Sequence, residues 1–178
     1  RRRHPDGTSV VAALQQRNPG RPVRHDMEGE IAVYSRGSES DRVSVEPCLK
    51  TEPTKIDRLP VEQGHTVAWA EEQFRRTGAL PQTGLTWRAH WHEALASAVH
   101  RGFDLPAGSS RSVTYTFAFD MPIVTFGEGR RWYRRYTRQW GESGTNAIAI
   151  AAAADAERED RRAEIDRWQQ AILTGTVL

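Results

Sequence analysis

The sequence predicts a mainly β fold, antiparallel strands followed by a long C-terminal α-helix. Three observations carry this expectation. Short runs rich in β-branched residues alternate with turn formers over residues 1–60. A strict two-residue alternation links Val113, Tyr115, Phe117 and Phe119. An alanine-rich and then charged stretch with helical spacing occupies residues 143–178.

The elements follow in order. Thr8 to Leu14, Glu30 to Tyr34 and Val43 to Leu49 read as strands, separated by Asn18-Pro19-Gly20 and Ser35-Arg36-Gly37-Ser38, which interrupt any regular period. Over residues 65–78, Val67, Trp69, Ala70 and Phe74 fit a short amphipathic helix closed by Gly78, its aromatics laid on the sheet. Ala94 to Val99 reads as a further strand and 104–108 as a turn. The alternation ending at Phe119 is expected to turn its aromatic side inward, so that Phe117→Asp would unfold the domain. Asp120-Met121-Pro122 ends that strand, because proline cannot continue a central ladder. After Gly141, Ser143 or Thr145 can cap a helix in which Ile165, Trp168 and Ile172 mark one face. A single helix of this kind needs either the sheet or a partner to cover that face. The patterns divide the chain into a β-rich part over 1–126, an arginine- and aromatic-rich stretch over 127–142, and a helix over 143–178.

Bulk properties narrow the function classes. The 178 residues suit one domain, or one domain with an appendage. With 38% hydrophobic and 27% charged residues, polar loops should surround a modest core. Lys+Arg and Asp+Glu nearly cancel at 25 and 23, so net charge selects neither a nucleic acid nor a membrane as partner. One cysteine, Cys48, excludes an intrachain disulfide and reads as a small filler in a strand. No apolar run reaches the length of a transmembrane helix, and no apolar segment follows Arg1-Arg2-Arg3 as in a signal peptide. These features favour the cytoplasm without fixing the compartment.

Candidate chemistry is sparse. His90 and His92, two apart on a strand, would share a face and meet one metal. The third ligand would have to come from His100 or Glu93, and the plainer reading is two histidines beside Trp87 and Trp91. No metal and no cofactor are expected. Residues 130–140 interleave arginines with aromatics, a pattern that suits phosphates and bases but equally a protein interface in which guanidinium groups meet carboxylates. The interface reading is favoured, with Arg131, Arg134, Arg135, Tyr136, Arg138 and Trp168 as its residues. Asp120, Glu128 and Glu142 could be paired as acid and base, but nothing in their spacing places two of them in one pocket, and turn or capping roles fit better. No catalytic residue is assigned.

One resemblance goes further. Phe119-Asp120-Met121-Pro122, Phe126-Gly127, the block Tyr133-Arg134-Arg135-Tyr136-Thr137-Arg138, Gly141 and Ile165-Asp166-Arg167-Trp168-Gln169 are similar, in that order, to motifs of glycoside hydrolase family 116. Trp69 to Phe74 with Gly78-Ala79-Leu80 resembles an upstream element of the same family. The chain departs from the pattern at Phe119, at Gln139-Trp140 and near Arg161, where the family carries other aromatics. The resemblance implies an N-terminal sandwich joined to an (α/α)6 barrel, retaining hydrolysis of β-glucosides including glucosylceramide, and catalytic carboxylates on the barrel. The partners implied are that barrel and its β-glucoside or glucosylceramide substrate. A stand-alone carbohydrate-binding or scaffold sandwich using Trp87 and Trp91 is the alternative; a nucleic-acid binder comes last.

Overall fold

The computed structural model describes residues 2–3, 9–16, 20–51, 66–84 and 94–175; the histidine pair His90 and His92, with Trp87, Trp91 and Glu93, lies outside the described residues. The main sheet has the order β1-β2-β3-β6, all antiparallel: β1 Arg2–Arg3, β2 Ser9–Gln16, β3 Gly29–Arg36 and β6 Thr116–Asp120. A second, two-stranded sheet pairs β4 Arg42–Lys50 with β5 Leu95–Gly102 and packs against β2. Ala12 of β2 is buried, although it points away from the face that holds Val11. Layered antiparallel sheets followed by a long helix are thus the observed architecture, in line with the strands read between Thr8 and Leu49 and over Ala94 to Val99.

Helix α1, Val67–Thr77, forms where the period changes. The Thr66 hydroxyl accepts from the Trp69 amide at 3.1 Å, and Gly78 closes the helix at φ 68°, its amide reaching the Phe74 carbonyl at 2.8 Å. Ala70 is buried and Phe74 meets His100 of β5 edge-on at 4.9 Å, so α1 leans on the second sheet. Cys48 is buried in β4, as a small filler would be.

The face of β6 is the opposite of the one expected. Ala118 and Asp120 are buried, while Phe117 and Phe119 are 66% and 56% exposed and Tyr115 is also exposed. The reason lies in what covers the sheet. Helix α3, Ala147–Ala156, packs on β3 and β6 through Ala147 and Ala151, against a core of Val11, Ala32, Tyr34 and Ala118. Alanine on both sides lets the helix approach closely, and rings in place of Ala118 and Asp120 would hold it off. The second sheet lies over β2, so nothing among the described residues buries the aromatic side of β6.

The C-terminal region is two helices, α3 and α4 Arg158–Gly175, parted at Glu157. Only α3 is covered. No residue of α4 is buried, and Ile165, Trp168, Ile172 and Leu173 are all exposed. The expected caps differ too: the Ser143 and Thr145 hydroxyls bond each other at 2.8 Å. Carboxylates from the sheet cap α3 instead. Between β6 and α3 lie a hairpin of β7 Ile123–Phe126 and β8 Arg130–Tyr133, turning through Gly127–Gly129, and the short helix α2 Thr137–Trp140. No described helix is long and apolar enough to cross a membrane.

Candidate functional site

Two buried acids organise the junction from below. Glu30 and Asp120 stand directly opposite each other on β3 and β6. Asp120 accepts the Asn146 amide at 2.7 Å and the Tyr136 hydroxyl at 2.9 Å. Glu30 accepts the Ala147 amide at 3.0 Å and the Gln15 side-chain amide at 3.2 Å. Both therefore feed the first turn of α3, where unpaired N–H groups and the positive end of the helix dipole offset the repulsion between neighbouring carboxylates. Burial, followed by the Asp120 carboxylate, pushes the Tyr136 phenol well above its ordinary range. Close approach at this point demands glycine at 29: a Cβ there would lie 1.9 Å from the Asp120 carbonyl oxygen. Asp120 is thus a capping carboxylate, the role its position favoured over acid–base work.

At the far end of α3, Asp155 pairs with Arg36 at 3.3 Å, and Arg158 donates to the Thr114 hydroxyl at 2.7 Å. The helix is fastened to the sheet at both ends, and α4 continues from a fixed origin.

The arginine block stands above this base. Arg134 donates its backbone amide to the Pro122 carbonyl at 2.7 Å and Nε to the Met121 carbonyl at 2.9 Å, and Thr137 bonds the Arg134 carbonyl through its hydroxyl at 2.8 Å. These bonds fold residues 134–140 into a turn that presents Arg134, Arg135 and Arg138 on one side. With Tyr133, Thr137 and Glu142 they line an open groove of about 590 Å³. The Glu142 carboxylate, by its charge and a hydrogen bond, raises the Tyr133 phenol above its usual range. Among the described residues, no carboxylate lies within ion-pair distance of Arg131, Arg134, Arg135 or Arg138. A second groove, of about 530 Å³, runs between Trp140 and the helices, with Ile150, Ala153 and Ile165 in its walls and Arg158, Arg161 and Arg162 at its rim.

Of the six residues singled out in the sequence, the groove gathers Arg134, Arg135 and Arg138. Arg131 stands on β8, Trp168 on α4, and Tyr136 is turned down to Asp120. Sequence reasoning missed Glu30, whose only signal was an acid inside an apolar strand, and it missed the hairpin with its exposed Phe126 and Trp132. Glu128 sits in the hairpin turn and Glu142 in the groove, neither beside Asp120 in an enclosed pocket.

His100, a candidate third ligand for the histidine pair, bonds Ser44 at 3.1 Å, and burial followed by the Arg42 charge lowers its pKa. Among the described residues no group of three or more His, Cys, Asp or Glu side chains is placed to hold a metal. The arrangement places cations without a carboxylate partner among the described residues beside open apolar side chains. A model of the N-terminal domain of glycosyl hydrolase family 116, described as that of beta-glucosidase 2, matches residues 2–160.

Proposed function

Since the chain belongs to glycosyl hydrolase family 116, whose N-terminal domain it matches, we propose that it is the non-catalytic N-terminal part of a retaining β-glucosidase. The substrates are β-glucosides, glucosylceramide among them, and the two carboxylates that cleave them lie on an (α/α)6 barrel domain reached through α4. The domain braces that barrel and forms part of the wall of its opening. Arg131, Arg134, Arg135 and Arg138 pair with its carboxylates, Tyr136 holds the turn that carries them, and Trp168 seats in its surface.

The observation that carries the reading is α4. An 18-residue helix without a buried side chain, carrying Ile165, Trp168, Ile172 and Leu173 in the open, is not stabilised by its own domain. Covering four such side chains is worth on the order of 5 kcal/mol. The fixed start of α4 at the Asp155–Arg158 anchor aims the row outward from the sheet.

The test is hydrolysis of an aryl β-glucoside, a chromogenic substrate that reports cleavage by any catalytic carboxylate pair. This chain alone is expected to give background rates, and the intact protein turnover that falls when Trp168 and Ile172 are replaced by alanine and serine. Turnover by the chain alone would refute the assignment of the chemistry elsewhere.

A further inference from the structure

The hairpin β7–β8 is a second uncovered element, and its register shows what it presents. Val124 stands opposite Trp132 and Phe126 opposite Arg130, so these four share one face; Ile123, Tyr133, Thr125 and Arg131 share the other. The base is fixed by buried Pro122 and Ile123 and by the two bonds from Arg134. Beyond the base the hairpin packs on itself. All four β8 residues are exposed, Phe126 and Trp132 at 62% and 59%. A two-stranded ribbon with four residues a side is marginal in water, and a cross-strand ladder of half-buried Val124 with exposed Phe126 and Trp132 marks an interaction surface.

Charge selects the partner. Arg130 on the ladder's face and Arg134, Arg135 and Arg138 at the hairpin's foot have no carboxylate within ion-pair distance among the described residues. Guanidinium groups in fixed positions around an apolar ladder match carboxylates around an apolar cleft, a pairing a folded protein surface supplies. The junction that carries the hairpin adjoins α4, since Gln139 and Trp140 share a groove with Arg161, Arg162 and Ile165, so one partner body can engage both.

We infer that the β7–β8 hairpin is an arm that inserts its Phe126–Val124–Trp132 face into an apolar cleft on the catalytic domain, a cleft rimmed by carboxylates for Arg130, Arg134, Arg135 and Arg138. The inference rests on the reading of α4 as a docked helix and adds a second, independent anchor to it.

Hydrogen–deuterium exchange on the intact protein and on this chain alone tests it. The amides of 124–132 should exchange at least tenfold more slowly in the intact protein. Trp132→Ala or Arg135→Glu should remove that protection without lowering the melting temperature of this chain alone. Protection of 158–175 without protection of 124–132 overturns the arm and leaves the docked helix standing. Protection of neither overturns both. Protection of 124–132 that appears when anionic phospholipid vesicles are added to this chain, and not in the intact protein, makes the arm a membrane device and also overturns the inference.

Discussion

Replacing Asp120 with alanine removes the link that joins sheet, junction and helix at one point. The carboxylate is fully buried and accepts from the Asn146 amide at 2.7 Å and the Tyr136 hydroxyl at 2.9 Å. Each donor left unpaired in a buried site costs about 1–3 kcal/mol, and losing a helix N-terminal acceptor costs about 1 kcal/mol, part of it already counted in the Asn146 amide. The sum is about 3–4 kcal/mol, a large share of the ~5–15 kcal/mol by which a domain is stable. For a chain of this size that corresponds to a fall in melting temperature of roughly 10 °C. Asp120→Asn keeps one acceptor and relieves the repulsion from Glu30 across the ladder, so its cost should be only about 1 kcal/mol. Urea denaturation followed by circular dichroism measures both, with Tyr136→Phe completing a double-mutant cycle for the pair. If Asp120→Ala shifts stability by less than about 1 kcal/mol, the capping role assigned to the buried acids is wrong.

Three further outcomes follow from the same geometry. Arg101→Ala breaks a buried pair, Arg101 to Asp41 at 2.9 Å with side chains 1% and 0% exposed, but leaves Asp41 its bonds from Arg111 and Ser38, so it should cost about 1–3 kcal/mol in denaturant unfolding. Phe117→Asp, which an inward-facing ring would make lethal to folding, should cost this chain less than about 1 kcal/mol in the same experiment, since the ring is 66% exposed and stands opposite Val33 on the sheet. Stability should fall on acidification in two stages. Burial, then the charge of Arg42, lowers His100 below 6.5, so as the pH drops past that value the unfolded chain takes up its proton first. Burial pulls Asp41 upward, but hydrogen bonds from Arg111 and Ser38 outweigh it and hold its pKa below 3.8, so the Asp41 contribution is lost as the pH falls under that value. Unfolding midpoints measured between pH 7.5 and 3 check both stages, and a midpoint that stays constant across that range would contradict them.

Much of the fold was legible because local chemistry decides it. Thr66 and Gly78 bound α1 by capping whatever the surroundings. The β-branched runs of residues 9–49 found their strands because β propensity and turn residues agree there. The burial of β6 was not legible. Alternation states that two faces differ but not which one meets the core, and here a helix of alanines that follows in sequence claims the side of Ala118 and Asp120. The run of arginines and aromatics over residues 130–140 was legible in composition, and its Trp132 and Tyr133 are exposed. Its shape was not, because the hairpin depends on the turn at Glu128 and Gly129, both in the left-handed region at φ 59° and 76°. Glu30 was invisible for a different reason: its partner amide belongs to Ala147, remote in the chain, and no local pattern records such a bond.

The most direct test of the docked helix is thiol labelling of Trp168→Cys. Cys48, the natural cysteine of this chain, is buried and reports on global unfolding, whereas position 168 is 66% exposed. In this chain alone the new thiol should react at the rate of a free peptide. In the intact protein it should react at least tenfold more slowly while Cys48 stays unlabelled in both. Equal rates at position 168 in the two proteins would contradict the account, leaving α4 as an open helix with nothing seated on it.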